Sequence, residues 1–451
     1  MDILDFIVFF IYIFIFNLLF SQFRKRYKDP VLRYHHRMAF WIKIFASFAY
    51  SIFVLYVSKG DTTALFFPEG NNIYKMILED QTKIDLFFTP AREFDESLLW
   101  DSYNKGYLKV ESNFAVTKIV AFFSFFTHGK YLAINLIFAM VAFTGVWRLY
   151  LFFYEQYPQL HKQFAIGILY LPTFVFWSSG ILKDSLCIAA LGWITYSTYH
   201  LIYDRKNAIV NMALIVLAAY VLIVLKVYIL VSYIPFFLMF IMLRNITFLK
   251  SIVAKLGLIA LFIIVSVLGF VELSNNTEKA LGSFASQGLT KSIATYQHNY
   301  EVQQSDGTSS FSLGVEFDGS LSSLASLAPA AIIATLYRPF LWESRKLSTL
   351  MSSLESLALM IFTIMVIYRV GPWAFGKTII LQPIVTYCLF FSLIFALFVG
   401  ATTLNFGSLV RYKIPAMPFY VCGLFLVLFF NNKLNPVKTV KDKGQAAAEV
   451  L

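Results

Sequence analysis

Four charges, Arg338, Glu343, Arg345 and Lys346, crowd into the end of the apolar stretch LASLAPAAIIATLYRPFLWESRK at residues 324–346. Charges interrupt greasy sequence in three other places: Lys183 and Asp184 in FWSSGILKDSL, Lys226 in AAYVLIVLKVYILVSYIPFF, and Arg411 with Lys413 in NFGSLVRYKIPAMPFYV. A cation at the centre of a bilayer costs roughly 2.5–3.5 kcal/mol on insertion scales, so a retained one usually faces a cavity or a partner. Pro415 and Pro418 fit the first turn of a helix, whose positive end adds to the field of Arg411. Such a set suits a strong anion, and the planar fork of arginine suits a phosphate. A polyprenyl phosphate or diphosphate has the charge, the depth and the lipid tail to reach these residues.

Acid–base chemistry needs a carboxylate near that anion. Asp61, in YVSKGDTTALFFPEGNNIY, is the leading candidate for a general base that takes the proton of an incoming sugar hydroxyl; Glu69, Asp101 and Glu343 are substitutes for the role. EFDE at 93–96 lacks the spacing and partners of a metal site, and neither a metal nor any other cofactor is expected. Each of these residues also has a purely structural alternative. Lys183, Lys226 and Lys413 can snorkel to an interface, Arg338 can pair with Glu343, and Asp61 can support the bend at Gly60. Trp177, Trp193, Trp342 and Trp373 read as aromatic-belt residues.

The elements that must position these side chains are membrane helices. Of the 451 residues, 59% are hydrophobic and 14% charged, and uncharged runs recur at the length of about twenty residues that crosses a hydrocarbon core. Backbone in lipid must satisfy its own hydrogen bonds, and no alternating barrel pattern is present, so the expected class is an all-α polytopic membrane protein. The net charge of +11 sits in short turns such as RKRYKDPVLRYHHR, at 24–37, which argues for topology and against nucleic-acid binding. Cys187, Cys388 and Cys422 lie in or beside apolar segments and read as small hydrophobes.

Helices threaded between the basic turns fall near 3–21, 38–57, 130–153, 163–180, 184–203, 208–225, 228–243, 251–271, 347–368, 378–400 and 414–430. About eleven crossings then place the N-terminus outside and the C-terminus in the cytoplasm. Parity makes 113–127 and 324–337 re-entrant or interfacial helices on the outer face. One transmembrane domain spans 1–431, with outer loops 58–112 and 272–346, and 432–451 forms a basic cytoplasmic tail. The first loop mixes aromatics with acids, as short helices on a membrane surface do; the second is rich in Ser, Gly, Asn and Gln and reads as a cover.

GDTTALFFPEGNNIY, LPTFVFWSSGILKDSL, TLYRPFLWE and GSLVRYKIPAMPFY together resemble multispanning proteins of bacterial surface-polysaccharide clusters: oligosaccharide repeat-unit (O-antigen-type) polymerases and GT-C-like glycosyltransferases. The resemblance implies a lipid-linked sugar donor, an acceptor glycan, an outward-facing active site in the bacterial cytoplasmic membrane and possible polysaccharide-assembly partners. It assigns the acid of the first outer loop to Asp61 and the phosphate-gripping cations to Lys183, Arg338 and Arg411. Two departures stand out: the first loop lacks the paired acids of many GT-C enzymes, and the second has fewer arginines than many polymerases.

Three functions follow as expectations. In the first, an inverting glycosyl transfer, Asp61 activates the acceptor while the cations, with Lys226 and Lys413, stabilise the departing phosphate. In the second, a lipid-linked oligosaccharide flippase, the same cations bind the headgroup only during passage. The third is a non-catalytic envelope scaffold. Charges gathered at one face favour the enzyme over a transporter built from related halves.

Overall fold

The computed structural model describes residues 2–57, 60–204, 207–245, 251–276, 311, 313, 321–344 and 347–434. Most of the second long loop, Arg345, Lys346 and most of the C-terminal tail therefore lie outside the described residues. Every regular element among those described is helical, and all three cysteines are buried free thiols.

Local sequence explains where the helices begin. Helix α1 (Ile3–Lys25) opens with a capping box between Asp2 and Asp5; α2 (Pro30–Ile52) follows an Asp29 cap with proline at its first position. Two π-helical turns, Phe53–Val57 and Thr62–Phe66, flank the start of the first long loop. That loop contains α3 (Phe67–Glu79), a series of short 3₁₀ turns, and α4 (Glu111–Thr127). Then come α5 (Tyr131–Gln156), the single turn α6 (His161–Phe164), α7 (Pro172–Trp177), α8 (Lys183–Tyr203), α9 (Ala208–Asn245) and α10 (Ile252–Asn276). The chain closes with α11 (Leu321–Tyr337), α12 (Leu347–Val370), α13 (Pro372–Leu381), α14 (Pro383–Thr402), α15 (Phe406–Tyr412) and α16 (Met417–Phe430).

Among the described residues seven helices are long and apolar enough to cross a membrane, and the pair α15–α16, bent by 61°, makes up to eight. A multi-pass membrane protein of all-α class is the plain consequence. The remaining expected spans take other forms. The 163–180 segment is divided into a π-helical turn, a stop at Tyr170 and the short α7. The 208–225 and 228–243 segments run on as α9, which is two helices joined across a kink at Lys226, whose φ of −154° and ψ of 73° are not helical. The 113–127 segment is α4, packed along α3, and 324–337 lies in α11, whose apolar part is shorter than a full span.

The chain forms two compact units, residues 1–149 with 174–227, and residues 150–173 with 228–451. In the first unit, α5 and α8 approach at Gly145 and Gly192, where a methyl group on Gly192 would stand 1.9 Å from the Gly145 carbonyl oxygen. Small residues at a helix crossing let backbones touch where lipid supplies no hydrophobic drive. In the second unit, α11 lies on α14, with the Thr335 hydroxyl donating to the Ala396 carbonyl at 2.7 Å. Tyr233, Phe237, Tyr387 and Phe391 form an aromatic core there, and the Tyr387 hydroxyl donates to that of Tyr233 at 2.9 Å.

Gly192→Val should drive α8 off α5 and lower stability by about 1–3 kcal/mol, the usual cost of overpacking. Thermal unfolding in detergent, compared with Gly257→Ala, whose added methyl meets nothing within 4 Å, measures this.

Candidate functional site

The first unit holds a helix break fully buried in protein. Residues 178–182, between α7 and α8, have no regular structure, and each of them is buried. Backbone shut away from water and outside a helix survives only when protein satisfies its polar groups. Here the Asn135 amide does much of this: its Oδ1 accepts from the Ile181 N–H at 3.0 Å, and its Nδ2 donates to the Ser179 carbonyl at 3.2 Å. The same Nδ2 lies 3.0 Å from the hydroxyls of Ser47 and Ser51. Thr62 donates to the Ile181 carbonyl at 2.9 Å and shares a 2.7 Å bond with the Tyr50 hydroxyl, while Ser185 donates to the Gly180 carbonyl at 2.6 Å. Gly180 lies against the Tyr50 ring, where a methyl would come within 2.0 Å. The Lys43 ammonium closes the other side, donating to Ser178 Oγ at 2.6 Å and reaching the Val175 carbonyl at 3.4 Å.

The break delivers two of the expected site residues. Lys183 opens α8 and donates to Ser112 Oγ at 2.7 Å. Asp184, completely buried in the first turn of α8, pairs with the Lys226 ammonium at 2.5 Å. The positive end of α8 favours a carboxylate in that place, and the Lys226 side chain reaches it from the kink in α9.

Asp61 is exposed at the head of the Thr62–Phe66 turn and makes no capping bond there. Its neighbourhood contains a cleft of about 370 Å³ lined by Val54, Leu55, Thr63, Trp100, Asp101 and Tyr103, with Ala64 and Pro68. Glu69, 1% exposed, holds the rim of this cleft: its carboxylate accepts from the backbone N–H groups of Trp100 at 3.0 Å and Asp101 at 3.2 Å, and from Asn104 Nδ2 at 2.8 Å. Asn104 also donates to the Ala64 carbonyl at 3.1 Å, tying the rim to the floor. Glu69 is thus a clamp in a buried hydrogen-bond set.

In the second unit the charges meet around the end of α11. The Arg338 guanidinium grips Glu343 bidentately, with Nε 2.9 Å from Oε1, and stands 4.3 Å over the Phe311 ring, which is itself stacked on Phe406. Glu343 also accepts from the Phe340 N–H at 2.8 Å. Lys413, between α15 and α16 and 2% exposed, donates to Ser356 Oγ at 2.9 Å and to the Arg338 carbonyl at 3.3 Å. Arg411, in the last turn of α15, lies 5.7 Å from the Tyr412 ring. Arg338, Glu343 and Lys413 therefore form one cluster, as Asp184 and Lys226 form another.

Sequence reasoning missed three anchoring residues. Lys43, in FWIKIF, and Glu355, in SSLESLAL, are single charges inside spans, a signal that by itself marks them out. The Glu355 carboxylate accepts from both the N–H and the hydroxyl of Thr173 at the start of α7. Asn135 sits in an apolar run with nothing nearby to mark its role. Among the described residues no cluster of three or more His, Cys, Asp or Glu is placed to hold a metal ion.

Removing one partner of a buried pair strands the other charge. Asp184→Leu or Lys226→Met should each cost about 3–5 kcal/mol of folding stability, with much of the loss recovered when the two are combined. A double-mutant cycle on unfolding in detergent reads the coupling directly. No family model matches the chain, and neither a curated protein nor a solved structure is similar to it.

Proposed function

We propose that the protein is a glycosyltransferase or polymerase that acts on polyprenyl phosphate- or diphosphate-linked sugars at the outer face of a bacterial cytoplasmic membrane, in surface-polysaccharide or glycoconjugate assembly. In this reading the chain crosses eleven times, with the N-terminus outside and the C-terminus in the cytoplasm. The crossings beyond those seen as long helices are 163–180, 184–203 and the division of α9 at Lys226. Both long loops then face outward.

The observation that carries the reading is the position of Asp61, exposed two residues before Thr63, which lines a cleft rimmed by Asp101. A carboxylate there has access to a hydroxyl bound in the cleft, the first requirement of a general base. The cations add the second half of the chemistry. Arg338 carries its guanidinium at a helix end, held by Glu343, with Lys413 on the adjoining carbonyl; an anionic leaving group that displaces Glu343 from the fork gains these donors as charge builds on its oxygens.

A flippase is the second reading, and one observation favours it: the break before α8 and the kink at Lys226 bring Asp184 and Lys226 into a buried pair, and discontinuous helices are where transporters bind their cargo. A scaffold would tolerate neutral changes at all these positions.

Cells carrying Asp61→Asn or Arg338→Ala at normal membrane abundance separate the readings through their lipid-linked glycan profile. Transfer predicts that long polymer falls on the order of 10²–10⁴-fold for the loss of a general base, with single lipid-linked units accumulating on the outer leaflet. Accumulation on the inner leaflet would point to the flippase, and an unchanged profile to the scaffold.

A further inference from the structure

The cleft beside Asp61 is built with more care than a loop resting on a membrane needs. Its rim is fixed by a buried carboxylate, Glu69, through two backbone N–H groups and the Asn104 amide, and its floor comes from the π-helical turns at 53–57 and 62–66. The π-helix is rare and concentrates at functional sites. The volume, about 370 Å³, lies within the range of small-molecule sites.

Its lining identifies the class of ligand. Trp100 and Tyr103 border the cleft while 67% and 79% exposed, so these large rings serve no core. Between them Asp101 offers a carboxylate whose Oδ1 accepts from the Tyr103 N–H at 2.9 Å, which sets its direction. Thr63 adds a hydroxyl, and Val54 and Leu55 an apolar floor. Aromatic faces beside a carboxylate and a hydroxyl match a pyranose, which stacks its C–H face on a ring and donates its hydroxyls to acceptors at the edge. The one charged residue in the lining is Asp101, which disfavours a phosphate within the cleft, while the Lys75 ammonium lies outside the lining, 5.9 Å from the centre of the Trp100 ring.

We infer that this cleft is a sugar-binding subsite for an uncharged pyranose, the acceptor end of the substrate, with Trp100 and Tyr103 as stacking platforms, Asp101 as the hydrogen-bond acceptor and Glu69 as the positioning residue that holds the rim. The assignment to the acceptor rests on the glycosyl-transfer reading; the sugar site itself does not.

Saturation-transfer NMR on the full chain in nanodiscs, with a panel of soluble methyl pyranosides covering neutral hexoses, N-acetylhexosamines and deoxyhexoses, tests it. At least one of these sugars should bind saturably. Trp100→Ala and Tyr103→Ala should weaken it by about tenfold. Asp101→Asn and Glu69→Gln should weaken it too, Trp100→Phe should keep it, and excess inorganic phosphate should not compete. The subsite is overturned if no sugar in the panel binds, if binding is the same in Trp100→Ala and Tyr103→Ala, or if phosphate displaces the sugar. It is also overturned if brominated lipids quench Trp100 in the wild type, because the ring is then a membrane anchor. Sugar binding lost in Trp100→Ala with normal polymer in cells would sink the transfer reading and leave the site standing. Polymer lost in Asp61→Asn while Trp100→Ala still binds sugar would do the reverse.

Discussion

A polypeptide cannot leave the helical conformation inside a bilayer unless other groups take up every N–H and C=O it releases. The break at 178–182, buried throughout in protein, meets the same constraint away from water. Asn135 answers it with one side chain, accepting from the backbone on one side of Gly180 and donating to it on the other, while Thr62 and Ser185 take the carbonyls that remain. Each of these partners is tied to something else. Thr62 is the residue after Asp61, and Ser185 follows Asp184, so satisfying the break also fixes the start of α8 and the position of the acid.

Buried and half-buried charges follow the same logic. Lys43, Asp184 and Lys226 in one unit, and Glu355, Lys413 and Arg338 in the other, all have partners that a helix end or a break supplies. A buried pair is weak evidence for stability, because desolvation consumes most of the attraction, but it is a strong device for fixing one arrangement over another. The cations here are therefore held in defined places before any ligand arrives. Under the proposed transfer reading such preorganisation stabilises a leaving group, and under the flippase reading it grips a headgroup in transit.

Much of the fold was legible in the sequence because apolar length and helix caps are local signals. The helices at 3–25, 30–52, 131–156, 252–276, 347–370 and 383–402 each coincide with a largely apolar run, and Asp29 with Pro30 or Gln382 with Pro383 marks a start. The pairing of Arg338 with Glu343 was legible too, since five residues separate them. Breaks were harder to see. An apolar stretch such as IGILYLPTFVFWSSGIL has the composition of a single span, and the break at its end is held by Asn135, which lies elsewhere in the chain. The Asp184–Lys226 pair joins positions far apart in sequence, and the role of Glu69 as a clamp depends on a turn 31 residues away. Sequence spacing carries no record of contacts of that kind.

Hydrogen–deuterium exchange of the peptide covering 178–185, compared between the wild type and Asn135→Leu in nanodiscs, tests most directly whether one amide holds the break. Leucine matches asparagine in shape closely enough to keep α5 packed while removing both polar contacts. The account predicts a large rise in exchange confined to 178–185, with the rest of α5 and α8 protected as before. Unchanged protection of Ile181 in the variant would contradict it, and would mean that the surrounding hydroxyls hold the break without Asn135.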